Sequence, residues 1–151
     1  MEVLVVCKGV NGQIELLEDR VRITRRGFLA FGAHPWGGEK EILLSEITAI
    51  QFKKATWIAS GFIQFVYPGC QETKGFHKSA ADENAVMFWP HRNDEFIKLR
   101  DAIDTRRREL RTTETSADNL VALEKLAELH KSGILTDDEF AAKKKQLLGL
   151  W

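Results

Sequence analysis

The chain has 151 residues, of which 44% are hydrophobic and 29% are charged. This length accommodates one ordinary domain with a small appendage, and nine Phe and four Trp suffice for a hydrophobic core. The 22 basic and 22 acidic residues give a formal net charge of zero, which argues against an overall field that attracts nucleic acid or an anionic membrane.

Cellular location is indicated by what the chain lacks. No stretch approaches the roughly 20 apolar residues of a membrane-spanning helix. The N-terminal segment has neither the basic region nor the cleavage-type site of a signal peptide. Cys7 and Cys70 lack metal-type spacing; they could form a disulfide, although two buried thiols in a reducing cytoplasm are the favoured interpretation. These features predict a soluble, cytoplasmic protein.

Strand signals recur through residues 1–89. Asn11-Gly12 is the dipeptide of a tight hairpin turn, alternating apolar residues follow it, and Pro68-Gly69 ends a strongly aromatic segment. The predicted strands are residues 3–7, 13–16, 21–24, 28–31, 41–44, 47–52, 61–67 and 84–89. Short strands at this regular spacing predict an antiparallel sandwich or barrel, and hence a mainly β fold.

One amphipathic helix is predicted after the strands. Asn93 can cap it, and Asp94 and Glu95 suit its positive end. The three arginines at residues 106–108 lie near its predicted C-terminus, where cations favour the helix dipole. Its apolar face comprises Phe96, Leu99, Ile103 and Leu110.

Several motifs resemble those of bacterial PH-like (pleckstrin-homology-like) domains. They are Gly9-x-Asn11-Gly12, residues 23–27 (ITRRG), residues 41–47 (EILLSEI), Gln51-Phe52-Lys53, Gly61-x-Ile63-x-Phe65 and residues 82–88 (DENAVMF). The resemblance spans nearly all of residues 1–110 and implies a bent antiparallel barrel whose open end is plugged by the C-terminal helix. Motifs of this kind transfer architecture and almost no function.

Residues 111–117 are polar and show no hydrophobic periodicity, which predicts a linker. Residues 118–151 then predict a helical hairpin, because leucines at helical spacing run as far as Gly133 and Thr136 begins a second helix as its N-cap. This second helix carries acidic residues at its start and lysines near its end, as the dipole favours. A segment under about 40 residues rarely folds without a staple or an associate.

The tail resembles the SHOCT domain, a short helical module at the C-terminus of bacterial and phage proteins. The shared pattern is an apolar helix, residues 131–136 (KSGILT), Asp138-Glu139-Phe140, a Lys-rich turn and Leu147-Leu148. The resemblance implies oligomerisation or partner recruitment, and packing on the chain's own body is the alternative. The residues predicted to mediate association are Leu120, Leu123, Leu126, Leu129, Ile134, Leu135, Phe140, Leu147 and Trp151.

Basic residues in the first strands support a second hypothesis, the binding of a lipid headgroup or nucleic acid. Lys8 followed by Arg20-Val21-Arg22 resembles the loose Lys…Arg-x-Arg pattern of phosphoinositide-binding PH domains. The alternative is a solvated strand face, because Glu15, Glu18 and Asp19 lie among these cations and reduce their field. The candidate anion-binding residues are Lys8, Arg20, Arg22, Arg25 and Arg26.

No catalytic or metal-binding constellation is found. His34, His77, His91 and His130 are scattered, and neither His-x-x-x-His nor Cys-x-x-Cys occurs. Cys70 and His77 share the long segment 68–83, where a nucleophile pair is conceivable, but a polar loop is the simpler interpretation. We therefore expect a non-enzymatic interaction protein without a cofactor or a metal.

The tryptophans are the remaining candidates for an interface. Trp36 lies beside Pro35, and Trp57 follows Lys53-Lys54, so either can be an exposed interface aromatic or can fold over the barrel rim. Trp89 is predicted to belong to the core with the last strand.

Overall fold

The structure, a computed structural model, describes residues 2–25, 38–70 and 82–150. The described strands are β1 (Val3–Lys8), β2 (Gln13–Leu17), β3 (Arg20–Thr24), β4 (Glu39–Leu43), β5 (Ala49–Lys53), β6 (Gly61–Val66) and β7 (Ala85–Phe88). A short 3₁₀ helix (Pro90–Arg92) leads into α1 (Asn93–Lys131), and α2 (Asp137–Leu147) follows. The predicted strand at 28–31 lies outside the described residues.

The strands form two antiparallel sheets. The first has the order β1-β2-β3-β4 and the second has the order β5-β6-β7. Between β1 and β2 the Gly9 N–H donates to the Gly12 carbonyl oxygen at 2.8 Å, so the predicted Asn11-Gly12 turn is confirmed as part of a four-residue loop. The mainly β prediction is confirmed, but the described strands do not close into a barrel.

The core of the β region follows from the alternation along its strands. Ile14 and Leu16 of β2 are buried, and their neighbours Gln13 and Glu15 are half-buried. The first turns of α1 bury Phe96, Leu99 and Ile103, which confirms most of the predicted apolar face, whereas Leu110 is only half-buried. The rings of Phe88 and Phe96 stack with centroids 4.1 Å apart, so β7 and α1 share one core. The fully buried side chains of this core also include Leu17, Ile23, Leu44, Ile47, Ile63 and Phe65.

Contacts divide the chain into two units, Met1–Arg108 and Glu109–Trp151, and α1 contributes residues to both. Residues 111–117, predicted as a linker, are helical. Within this segment Thr115 Oγ1 donates to the Arg111 carbonyl at 2.8 Å, and Ser116 Oγ donates to the Thr112 carbonyl at 2.8 Å, so two of its hydroxyls bond to the preceding turn of the helix. The domain boundaries themselves stay a prediction.

The arginine triplet 106–108 lies inside α1 and not at its end, so its predicted role as a partner of the helix dipole is wrong. Two of these arginines hydrogen-bond carbonyls of the β region instead. Arg106 Nε donates to the Glu18 carbonyl at 2.7 Å, and Arg107 Nη2 donates to the Ile47 carbonyl. No helix within the described ranges is both long and apolar enough to cross a bilayer.

Candidate functional site

The turn of the C-terminal hairpin is defined by Gly133. Its φ is +77°, in the left-handed region that favours glycine, and the Ile134 N–H donates to the Leu129 carbonyl at 3.0 Å. After this turn, Thr136 caps α2 as predicted. The Glu139 N–H donates to Thr136 Oγ1 at 3.3 Å, and the Thr136 N–H donates to Glu139 Oε2 at 3.0 Å. The hydrogen bonds from the Thr136 backbone and hydroxyl lower the pKa of Glu139.

One face of α1 in the hairpin turns toward α2. Half-buried residues recur at helical spacing at 122–123, 126 and 130, and the His130 ring stacks on Phe140 with centroids 4.6 Å apart. His130 Nε2 also lies 2.6 Å from Asp137 Oδ1. The five predicted association residues that are half-buried are Leu123, Leu126, Leu135, Phe140 and Leu147.

Other apolar side chains of the hairpin are open to solvent. Among the residues predicted to mediate association, Leu120 is 64% exposed, Ile134 is 68% exposed and Leu129 is also exposed. Trp151 lies outside the described residues. The prediction missed Val121, Leu148 and Leu150, which are also exposed. The apolar run Leu147-Leu148-Gly149-Leu150 could have indicated that Leu148 and Leu150 are candidates for association. Val121 lies off the helical spacing of the leucines, so no sequence pattern indicated it.

Every residue from 109 to 150 is half-buried or exposed, and none is fully buried. The hairpin therefore has correct capping and turn chemistry but no core of its own. Its shorter helix also has a marked charge order: acidic residues occupy the first turn (137–139) and lysines occupy 143–145. The hairpin thus combines exposed apolar side chains with negative charge at the start of α2 and positive charge near its end.

The predicted anion-binding residues on β3 face carboxylates. The strand register places Glu15, Arg22 and Glu41 opposite one another on β2, β3 and β4. Arg22 Nη2 lies 2.9 Å from Glu41 Oε1, and Arg20 Nη1 lies 2.8 Å from Glu41 Oε2. Hydrogen bonds from Arg20 and Arg22 lower the pKa of Glu41. Arg20 also pairs with Asp19 at 2.8 Å.

Arg25 lies inside the protein and not on its surface, where an anion-binding residue was predicted. Its side chain is buried, and it donates to the carbonyls of Asn11, Asp82 and Ala85, each at 2.8 Å. Lys8 is exposed beside a groove of about 500 Å³ that is also lined by Glu15, Arg22 and Glu39. Arg26 lies outside the described residues. The structure thus does not bring the four described cations together, and anion binding through them stays a prediction.

The tryptophans differ from the prediction in one case. Trp89 is 52% exposed, because β7 ends at the buried Phe88 and alternation directs the next side chain outward; its assignment to the core is wrong. Trp57 is 99% exposed at the β5–β6 connection. Trp36 lies outside the described residues.

Comparison with family models accounts for most of the chain. Residues 17–104, more than half of the sequence, match a Domain of unknown function (DUF4429). The chain belongs to the DUF4429 family. Residues 122–148 match SHOCT, the Short C-terminal domain, which confirms the predicted resemblance of the tail. Neither the curated proteins nor the solved structures contain a significant match.

The DUF4429 segment contains β3 to β7 and the buried part of α1, while the SHOCT segment lies within the hairpin. Within the described part of the DUF4429 segment and its flanks, no cluster of three His, Cys, Asp or Glu residues could hold a metal ion. Cys7 and Cys70 are free thiols. Burial, assisted by Glu95, raises the pKa of Cys7 to about 11. His77, the conceived partner of Cys70, lies outside the described residues.

Proposed function

We propose that the chain is a non-enzymatic interaction protein whose SHOCT hairpin (residues 118–150) associates with a second copy of the same chain. The observation that carries this proposal is the combination of formed helices with an absent core. Residues 109–150 include no buried side chain, while Leu120 and Ile134 are each more than 60% exposed. The exposed apolar residues also adjoin one another along the chain, as Leu120 does with Val121, and adjoining exposed apolar surface in a folded protein marks an interaction site.

Burial of these side chains supplies the driving force. Fully covering one Leu or Ile stabilises an assembly by about 1.5–3 kcal/mol, and the hairpin offers several that are half or more exposed. Association opposes this with a loss of translational and rotational freedom of roughly 4–15 kcal/mol. Several residues must therefore be covered together, which favours a partner that matches the length of the hairpin.

The charge order of α2 favours a second copy as that partner. A two-fold axis perpendicular to the helices places the same surface of both copies in contact and runs the paired helices antiparallel. In that arrangement Asp137 and Asp138 of one copy face Lys144 and Lys145 of the other, twice per dimer. Parallel helices would instead bring like charges together, so the charge order also selects the orientation.

The DUF4429 region is proposed to be a PH-like scaffold for this tail. Support comes from the element order, a four-stranded meander, a three-stranded meander and then a helix that buries Phe96, Leu99 and Ile103 against the sheets. A cytoplasmic location is proposed with it, because both cysteines are free thiols.

Light scattering coupled to size-exclusion chromatography tests the association with a matched pair of variants. Leu148 of the hairpin and Leu4 of β1 are both 47% exposed, so Leu148→Gln and Leu4→Gln remove equal apolar surface. We expect Leu148→Gln to lower the mass below that of the wild type, toward that of a monomer. Leu4→Gln should leave the wild-type mass unchanged.

Two results would contradict self-association. One is a wild-type chain that is monomeric at tens of micromolar. The other is an equal loss of mass in the Leu4→Gln control, which would show that the contact does not lie on the hairpin. In the first case a foreign protein becomes the better candidate partner.

A further inference from the structure

The connection between β5 and β6 ends in a two-residue apolar tip, Trp57-Ile58. Below it, the Thr56 N–H donates to the Ala59 carbonyl at 2.7 Å, and the Ala59 N–H donates to the Thr56 carbonyl at 3.4 Å. Trp57 is 99% exposed and Ile58 is 97% exposed, the largest values among the exposed large hydrophobic residues of the described chain. Two adjacent apolar side chains thus project into solvent with almost no protein cover.

The base of this tip is fixed to the core. The Ala55 N–H donates to Asn93 Oδ1 at 2.9 Å, and Asn93 Nδ2 donates to the Ala55 carbonyl at 3.0 Å. Both backbone groups of Ala55 are therefore bound by the side chain of Asn93, the first residue of α1. Gly61 packs so closely that a Cβ there would lie 2.5 Å from the Ala55 nitrogen. The fold therefore holds the apolar tip outward instead of leaving it free to fold back.

Cations lie at the same end of the second sheet. Lys53 ends β5 and is followed by Lys54, and both are exposed. The register pairs Lys53 with Phe62 and Gly61 with Phe88, so β7 also ends here and is followed by the half-exposed Trp89. Two acidic residues begin α1 nearby: Asp94 is exposed, and Glu95 is paired with Arg92 at 2.7 Å.

We propose that this tip inserts Trp57 and Ile58 into the interfacial region of an anionic lipid bilayer, with Lys53 and Lys54 against the headgroup phosphates. Indole rings favour the membrane–water interface, and lysines near a surface are attracted to anionic lipids. Long lysine stems also reach headgroups while the adjacent apolar residues lie deeper. Because the chain has no net charge, the attraction is local to this end.

The shape of the tip favours lipid over a protein partner. A stable protein interface buries about 800 Å² on each partner, whereas two side chains of this size present far less, roughly 150–250 Å² each. A convex tip requires a complementary pocket in a protein, but a fluid bilayer accommodates it without one. The proposal is independent of the self-association of the hairpin, since it uses different residues in the other unit.

Vesicle flotation of the full-length protein tests this proposal. The probes are vesicles of phosphatidylcholine with phosphatidylserine and vesicles of phosphatidylcholine alone. We expect binding to the anionic vesicles that weakens with added salt. The double variant Trp57→Ser/Ile58→Ser should lower the partition coefficient at least about tenfold, and Lys53→Ser/Lys54→Ser should lower it about fivefold for each lysine.

Matched controls separate insertion from general effects. Leu4→Ser removes an exposed apolar side chain of the same unit, and Lys125→Ser/Lys131→Ser makes the same change in net charge; neither should change the binding. Because the tip residues are exposed, the tip variants should retain the wild-type unfolding midpoint. The proposal is overturned if the wild type does not bind anionic vesicles at low salt, or if the Trp57→Ser/Ile58→Ser protein binds them equally well. A lower mass of that variant in light scattering would instead identify the tip as a protein contact.

Discussion

The buried Arg25 provides the strongest test of how the two sheets are held together. Arg25 is only 6% exposed, and its guanidinium donates to three carbonyls: Asn11 in the β1–β2 loop, Asp82 before β7 and Ala85 at the start of β7. Arg25→Met keeps an unbranched apolar stem but removes the guanidinium and with it all three hydrogen bonds. The three carbonyl groups then lose a charged partner inside the protein.

The expected loss is about 3–5 kcal/mol in the free energy of unfolding. Hydrogen bonds from a charged donor contribute about 1.5–3 kcal/mol each, but the sum is reduced because the variant no longer bears the desolvation of a buried charge. The same desolvation lowers the pKa of Arg25. Compared with a typical domain stability of about 5–15 kcal/mol, the loss is large.

Amide hydrogen exchange of β2 and β3, followed by mass spectrometry at increasing urea concentrations, measures the loss in the free energy of unfolding for the β region alone. Arg22→Met is the matched control, because it removes the same group from the solvent-facing ion pairs with Glu15 and Glu41. Surface ion pairs contribute little, so we expect a far smaller effect there. Equal losses in Arg22→Met and Arg25→Met would refute the structural role assigned to Arg25.

Three further predictions concern packing, ionisation and capping. Gly61→Ala should destabilise the β region by about 1–3 kcal/mol in urea denaturation, since its Cβ would meet backbone atoms at 2.5 Å, whereas Gly38→Ala, whose Cβ would meet no atom of the described residues within 4 Å, should be neutral. The neutral thiol of Cys7 should resist iodoacetamide in the native protein at pH 8. Because folding raises the pKa of this thiol from 9.0 to about 11, its contribution to the free energy of unfolding should be complete below pH 9 and lost as the pH rises through 11. Thr136→Ala should lower the stability of α2 by about 1 kcal/mol, detected as reduced helical circular dichroism on heating; unchanged melting would contradict the observed capping box.

Local pattern was sufficient for most strands and for the hairpin caps. Alternation of apolar residues predicted β2 and β3 because each strand buries one face, and this signal depends only on nearby residues. The capping box of α2 was readable for the same reason: Thr136 and Glu139 are three residues apart and satisfy each other.

Features set by distant residues could not be predicted in this way. The role of Arg25 depends on carbonyls about 57 and 60 positions later in the chain, so no local pattern distinguishes it from the solvent-facing Arg22. Residues 111–117 resembled a linker because no large apolar side chain marks a helical period there, although the segment lies within α1. The exposure of Trp57 depends on where the β5–β6 turn places it, and composition argues equally for burial.

Mixing of two charge-reversed variants tests self-association through the hairpin most directly. One variant carries Lys144→Glu/Lys145→Glu and the other carries Asp137→Lys/Asp138→Lys, with circular dichroism to verify that α2 is formed in both. In an antiparallel dimer each variant alone brings like charges together, whereas the two variants complement each other. Light scattering should therefore give a monomer mass for each variant alone and a dimer mass for the equimolar mixture. A wild-type mass for either variant alone, or a mixture that stays monomeric, would contradict the proposed association.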